Sequence, residues 1–356
     1  MAALRGKQTL VALRSLQSLR FYRRGSTYRR RYRGAPGGSH RIGWVGPATI
    51  THPEKVLFPD DGITKGELAA YYEAIAPAMV PHIAGRPVTM ERYPSGIDKK
   101  GFWQKDVSKG FPDWLERVEV PKKGGVVHHP LVTDARSLLW TVNQNTITHH
   151  VWSRRASNLQ YPDVCVFDLD PAEDNASAVG EVALELRAFL DELGLPSSVK
   201  TSGSKGFHIV VPLDGSTKMG TVARFANAVG TAFVARYPER LTQEFSKADR
   251  GGRILVDTGR NGYSATFAAP YTVRAKPGAP VSAPCTWEEI ERGEVGPRTF
   301  TLRTMPERIA AVGDLWADFG KSEVGSLKPE VQNRLEQLTS EVSRRVRPQP
   351  DRDGSA

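Results

Sequence analysis

Short runs of apolar residues, each closed by a charged or turn-forming residue, punctuate this chain. Val164-Cys165-Val166-Phe167, Ile209-Val210-Val211 and Ile254-Leu255-Val256 are too short for helices and rich in strand formers, so each reads as a buried strand. Residues 85–92 read as a turn and a strand, and residues 45–60 as one or two short strands and a turn. Segments of helical period lie between. Leu68, Tyr71, Tyr72 and Ile75 share one face of a helix that opens at Thr64, with Glu67 three residues on as a capping box, and ends at Pro81. Val179, Val182, Leu186, Phe189, Leu190 and Leu193 define a helix over 177–194 closed by Gly194. It joins two of the apolar strands as a β–α–β unit. Further helices are predicted over 137–143, 220–236, 287–292 and 300–343, and no internal repeat is visible.

At 356 residues the chain is long enough for one large or two small domains, and a hydrophobic fraction of 39% supports a sizeable core. No apolar run reaches the ~18 residues of a membrane span, so no membrane partner is expected. Cys165 and Cys285 make neither a disulfide framework nor a zinc site, which fits a reducing cytosol. The net charge of +10 is unevenly placed. Residues 1–41 hold eleven of the 49 Lys and Arg residues and the first acid is Glu54, which leaves 38 basic against 39 acidic residues in the remainder. Charge alone therefore does not mark the body as a nucleic-acid binder. Residues 1–40 are expected to be a disordered basic extension, with a short helix over 10–21. Three readings of it stand: a phosphate-gripping arm with Phe21, Tyr22, Tyr28 and Tyr32 for stacking, a transit-like peptide, or translation from upstream of the true start.

The chemistry begins at the first apolar run, which delivers Asp168 and Asp170 at i, i+2. On a strand both carboxylates leave one face, and Pro171 ends the ladder so that they sit at its mouth. Two neighbouring carboxylates repel, and a divalent cation with oxygen preference, Mg²⁺ or Mn²⁺, relieves that repulsion. The plain alternative is an ordinary strand end. Some thirty residues on, Ser202-Gly203-Ser204-Lys205-Gly206-Phe207-His208 leads into the second apolar run. Glycines let a backbone approach phosphate, and Ser and Lys supply donors and charge; the plain alternative is a hairpin turn, and the Walker A spacing is absent. The third apolar run ends in Asp257. Three aspartates on strand ends are the set that two-metal phosphoryl transfer requires.

These motifs, VFDLDP, TSGSKGFHI and ILVDTGRNGYSATFAAPYTVRAKPGAP, resemble those of the polymerase domain of bacterial DNA ligase D, in the archaeo-eukaryotic primase superfamily. The resemblance extends upstream through ITKGELAAYYEAIAP and GFWQKD and covers about residues 45–295. It implies an α/β (α+β) primase-polymerase fold, with a central mixed, mainly antiparallel sheet flanked by helices. The expected organisation is a catalytic domain over 41–298, a helical segment over 299–343 packed on it, and a flexible tail over 344–356. It further implies that Asp168, Asp170 and Asp257 hold two Mn²⁺ or Mg²⁺ ions. His150, Ser202, Lys205, His208 and Arg274 would bind the nucleotide, Lys55 and Lys65 the 5′-phosphate of a DNA end, and Phe102 and Trp103 the bases.

The chain departs from the family pattern in places. His52 stands where the family usually has Asn, Thr148 and His149 precede His150 where it has Glu-Leu, and Arg260 stands where it commonly has Gln. On a strand Phe102 and Trp103 face opposite ways, so the plain reading of that pair is one core and one surface residue. The expected function is a template-dependent DNA/RNA polymerase-primase using NTP or dNTP at DNA breaks in nonhomologous end joining. A Ku-type end binder and a separate ATP-dependent ligase are the implied partners, in the cytoplasm of a bacterium at its nucleoid. No KxDG nucleotidyl-transfer motif is found, so the chain reads as a stand-alone polymerase. A two-metal nuclease and a non-catalytic DNA-end bridge remain as alternatives.

Overall fold

The three apolar runs form the middle of a six-stranded sheet. The computed structural model describes residues 49–321 and 323–346, all within one unit that runs from Pro47 to Ala356. The basic extension, its helix over 10–21 and the end of the expected tail lie outside the described residues. β1 (Val56–Phe58) and β2 (Ile63–Thr64) form a hairpin that leads into helix α1 (Lys65–Ile83). The Thr64 hydroxyl accepts from the Glu67 N–H while the Glu67 carboxylate accepts from the Thr64 N–H, the capping box read from the sequence. Pro81 does not end the helix. α1 continues to Ile83 with Pro77 and Pro81 inside it, because Met79 and Ile83 are fully buried and the Ala84 N–H still reaches the Val80 carbonyl. Packing there outweighs the bonds that the prolines remove.

β3 (Val88–Arg92) and β4 (Phe102–Gln104) follow, then the hairpin of β5 (Arg117–Lys122) and β6 (Gly125–Pro130), helix α2 (Ala135–Asn143) and β7 (Thr146–Val151). The acid-bearing strand is β8 (Val164–Asp170). From it the chain passes through α3 (Ala176–Glu192), β9 (Ser198–Thr201), β10 (Phe207–Pro212), α4 (Met219–Arg236), β11 (Leu241–Thr242) and β12 (Ile254–Asp257). Four two-residue strands come next: β13 (Phe267–Ala268), β14 (Thr272–Val273), β15 (Val281–Ser282) and β16 (Pro284–Cys285). The helices α5 (Trp287–Glu291), α6 (Met305–Val312) and α7 (Pro329–Val346) end the described chain.

The six-stranded sheet has the order β11-β12-β8-β10-β9-β16 and is antiparallel except between β11 and β12, so it is mixed and mainly antiparallel as expected. A second, wholly antiparallel sheet has the order β13-β7-β3-β4. α3 and α4 pack on the six-stranded sheet, and their Phe189 and Phe233 rings meet at 5.7 Å. The β–α–β expectation needs one amendment. α3 leads from β8 to β9, and the chain then turns back as β10, which inserts between them. β9, with the sequence SVKT, carries no apolar run and so gave no such signal.

The helical segment expected over 300–343 consists of two helices, α6 and α7. Gly313, at φ 73°, ends α6, and the Asp314 carboxylate then accepts from the Trp316 N–H and the Tyr271 hydroxyl and pairs with His82. Pro329 restarts the helix at α7, where its missing N–H costs nothing.

Candidate active site

Period-two geometry puts Asp168 and Asp170 on one face of β8. The Cα partner of Asp168 is Asp257 on one side and His208 on the other, and His208 is partnered in turn by Lys200. Opposed residues of antiparallel strands point to the same side. The sheet therefore presents a row of four chemically active side chains: Asp257, Asp168, His208 and Lys200. Asn261 holds the row's central strand, because its Oδ1 accepts from the Val166 N–H and its Nδ2 donates to the Val166 carbonyl, both at 2.8 Å.

The acids are neutralised by arginines. Arg260 Nε donates to Asp168 Oδ2 at 3.1 Å, and its Nη2 lies 3.1 Å from both Asp168 Oδ2 and Asp257 Oδ2. Arg250 Nη1 donates to Asp170 Oδ2 at 3.0 Å. Burial, with the charges of Asp257 and Asp170, pushes the Asp168 carboxyl up against the pull of Arg260. Among the described residues no group of three or more His, Cys, Asp or Glu side chains is arranged so that it could hold a metal ion. The donor set nevertheless suits a hard divalent cation: it offers carboxylate oxygens, and two of them already share the charge of one guanidinium.

The Gly-rich loop is the turn between β9 and β10. Ser202 Oγ accepts from the N–H groups of Ser204 and Gly206, and the Ser202 carbonyl accepts from Arg274 Nη1 at 2.7 Å. Two glycines are required by close approach. A Cβ on Gly206 would come within 1.6 Å of the Leu169 carbonyl oxygen, and one on Gly203, at φ +63°, within 2.6 Å of Arg274 Cγ. Lys205 Nζ donates to the Ala172 carbonyl and lies 3.5 Å from Asp174, just beyond the acids. His208 Nε2 lies 3.5 Å from Asp168 Oδ1, while its Nδ1 and Arg274 Nε are buried with no hydrogen-bond partner among the described residues. Lys200 is fully buried and donates to Ser282 Oγ. Burial pushes His208 and Lys200 well down.

His150 lies on β7, where its Nε2 is 3.1 Å from Glu91 Oε2. Burial lowers His150 to about 4, against the pull of Glu91. Burial also works against Glu91, but hydrogen bonds from His150 and Tyr93 hold it down at about 2. At neutral pH a neutral imidazole thus donates from Nε2 to an ionised carboxylate, which fixes its tautomer. The Trp103 ring lies 4.3 Å from the His150 ring, and Arg92 sits 5.1 Å over Phe102. Both aromatics are exposed, Trp103 at 57% and Phe102 at 44%, since β4 is a three-residue edge strand. His149 points into the core, against Thr141 and Tyr72.

Lys55 and Lys65 come together at the β1–β2 hairpin, as two like charges. Lys65 Nζ donates to the Thr51 carbonyl at 2.7 Å, and burial and then Lys55 lower its pKa. His52 beside them has φ 51°, a left-handed conformation that Asn tolerates better than most residues. A cavity of about 550 Å³ bounded by Phe267, Asp163, Arg155 and Trp316 contains none of the three acids, and its Asp163 is already paired with Arg86 and Arg155.

The model of the LigD primase-polymerase domain matches residues 64–316. The chain belongs to this family. It is 35% identical over 271 residues to the multifunctional non-homologous end joining protein LigD of Mycolicibacterium smegmatis, covering 75% of this chain and 35% of that protein. It is 28% identical over 272 residues to the bifunctional LigD of Bacillus subtilis, covering 76% and 44%. The chain thus spans 35–44% of the length of these relatives. The polymerase domain of Mycobacterium tuberculosis ligase D, solved in complex with DNA, superposes with a TM-score of 0.72 at 32% identity, covering 78% of this chain and 99% of that one. Among the described residues no helix is long and apolar enough to cross a membrane. Within this LigD-type domain, Glu91, Lys200, Arg250 and Asn261 join the site without having been singled out from sequence. Lys200 is the one charge in the mostly polar strand SVKT, and Glu91 shares VTMER with Arg92, so neither short strand marks its residue by pattern.

Proposed function

We propose that this chain is a polymerase and primase of DNA ends, extending a 3′ end with ribo- or deoxyribonucleotides during nonhomologous end joining. The observation that carries this reading is the direct opposition of Asp168 and Asp257, with Asp170 two residues along the same strand. Asp168, Asp170 and Asp257 would hold two Mn²⁺ or Mg²⁺ ions, which when bound lower the pKa of a primer 3′-hydroxyl and neutralise the pyrophosphate that leaves. The chain's own groups do the binding and orienting. His208 Nδ1 and Arg274 Nε, both buried and unpartnered among the described residues, support a nucleotide between the loop and β7. A planar guanidinium suits phosphate oxygens. Ser202 shapes the turn, Lys205 can exchange its exposed partner Asp174 for a phosphate, and neutral His150, oriented by Glu91, faces the same space. Lys55 and Lys65 form a like-charged pair that a 5′-phosphate would relieve. Exposed Phe102 and Trp103 offer stacking worth ~1–3 kcal/mol per base, independent of sequence. A Ku-type end binder and an ATP-dependent ligase are the partners this role requires.

The test is extension of a primer on a short gapped duplex bearing a 5′-phosphate, with Mn²⁺ and either NTP or dNTP, against Asp168→Ala. Metal-dependent extension that disappears in the variant is expected. Tight binding of the duplex with no extension under any metal or nucleotide favours the bridging reading, and shortening of the primer a nuclease.

A further inference from the structure

We propose that Arg260 is an internal counter-cation that a divalent metal must displace, so that metal and nucleotide load together. The inference rests on Asp168 and Asp257 being metal ligands, as proposed above. Arg260 spends its charge on those two carboxylates, with contacts of 3.1 Å from Nε and Nη2 to Asp168 Oδ2 and from Nη2 to Asp257 Oδ2. A divalent cation needs the same oxygens. Placing two positive charges beside a third at hydrogen-bond distance, in a partly buried site, is electrostatically unfavourable, so guanidinium and metal compete.

The geometry allows the exchange. Arg260 starts from the short 3₁₀ turn Gly259–Asn261, whose last residue is tied to β8 through Val166. Its base is therefore fixed, while its side chain is 39% exposed against 12% for either acid. The head group has an outward path that the carboxylates lack. Once released it is a planar fork of donors beside the space where Arg274 and His208 would meet a triphosphate, and phosphate oxygens are the partner that fork fits. Without nucleotide the guanidinium falls back on the acids and metal binds weakly. With nucleotide the released charge is compensated, and the two ligands favour each other.

The experiment measures Mn²⁺ affinity of the full chain without nucleotide, by the electron paramagnetic resonance of free Mn²⁺. Arg260→Gln keeps a polar side chain and removes the charge, and should bind Mn²⁺ at least about tenfold more tightly than wild type, ~1.4 kcal/mol. Arg260→Lys retains a cation and should stay within about threefold of wild type. A non-hydrolysable nucleotide should tighten Mn²⁺ binding more in wild type than in Arg260→Gln. Equal or weaker Mn²⁺ binding by folded Arg260→Gln overturns the proposal. Should that variant not fold, the wild type answers: the ¹⁵N resonance of Arg260 Nε should shift on addition of Mg²⁺ and nucleotide, and an unmoved signal in metal-loaded protein overturns it equally. If neither wild type nor Arg260→Gln takes up Mn²⁺, with or without nucleotide, the metal reading of the acids itself fails and takes this inference with it.

Discussion

Asp168 and Asp257 stand directly opposite each other across β8 and β12, so two carboxylates share the space between neighbouring strands. Such partners have Cβ atoms only about 4.5–5.5 Å apart, and like charges in that position destabilise a sheet. Burial and the neighbouring acids push Asp168 up. A carboxyl raised in the folded state contributes stability that is fully present below its ordinary pKa of about 4 and is lost as pH rises through the raised value. Ionisation of Asp168 therefore weighs against the fold. Asp168→Asn should melt at the same temperature as wild type or above it, while extension falls by more than the ~100-fold that loss of a ligand's hydrogen-bond partner can cost. Thermal melting and extension on one preparation check this. A variant melting well below wild type would mean that Asp168 is structural.

The buried histidines and Glu91 set the acid limb of stability. Burial holds His149 down at about 3 and His150 at about 4, and Glu91 lies at about 2 against an ordinary 4.5. All three are depressed, so each contributes stability present above its unfolded pKa and lost as pH falls towards the folded value. The histidine contribution should decline from pH 6.5 towards 3–4, and the Glu91 contribution from 4.5 towards 2. Melting temperature should accordingly drop steadily from pH 7 to pH 4. The slope between pH 6.5 and 4 should be shallower in His150→Gln. An identical slope in that variant would assign the whole effect to other groups.

What could be read from the sequence followed from local signals. The acids were legible because a short apolar strand closed by Pro171 leaves few places for Asp168 and Asp170 to point, and the capping box at Thr64 is a purely local device. Gly203 and Gly206 were legible as a special loop, yet their geometric reason is packing against Arg274 and Leu169, which no local pattern encodes. Pro81 misled because burial of Ile83 outweighs a local break. Arg260 was visible as a departure from a pattern, but its bridging of two acids depends on strand register. Glu91 and Lys200 needed the sheet order: each is an ordinary charge on a short strand until β7 and β10 place His150 and His208 beside it.

Trp103 and Phe102 sit next to each other on β4 but touch different things, which separates their roles. Trp103 packs on His150 and Phe102 on Arg92. Both are exposed, so truncation to Ala should change stability by no more than ~0.5 kcal/mol. Each should weaken binding of a gapped duplex by ~1–3 kcal/mol if the rings stack on bases. Trp103→Ala should also raise the KM for nucleotide, because it frees the ring of His150, whereas Phe102→Ala should leave that KM alone. Fluorescence anisotropy with labelled duplex, together with steady-state kinetics, resolves the two. Unchanged duplex affinity in both variants would remove this edge strand from the DNA interface.

Asn261 gives the sharpest test of how the acids are held. Its side chain takes the place of a strand residue beside β8, accepting from the Val166 N–H and donating to the Val166 carbonyl and to the Thr258 carbonyl. Asn261→Ala strands two buried backbone groups of Val166, at ~1–3 kcal/mol each. At about 2–4 °C per kcal/mol for a domain of roughly this size, melting should fall by about 4–24 °C. Asn261→Asp separates hydrogen bonding from space filling. It is nearly the same size and keeps the acceptor for the Val166 N–H, but it sets a carboxylate oxygen against two carbonyls where an N–H₂ donated. If the hydrogen bonds hold β8 in place, Asp should destabilise nearly as much as Ala, and extension should suffer in both because Asp168 loses its fixed strand. If Asn261 merely fills a gap, Asp will melt close to wild type and the strand-like role of its amide is wrong.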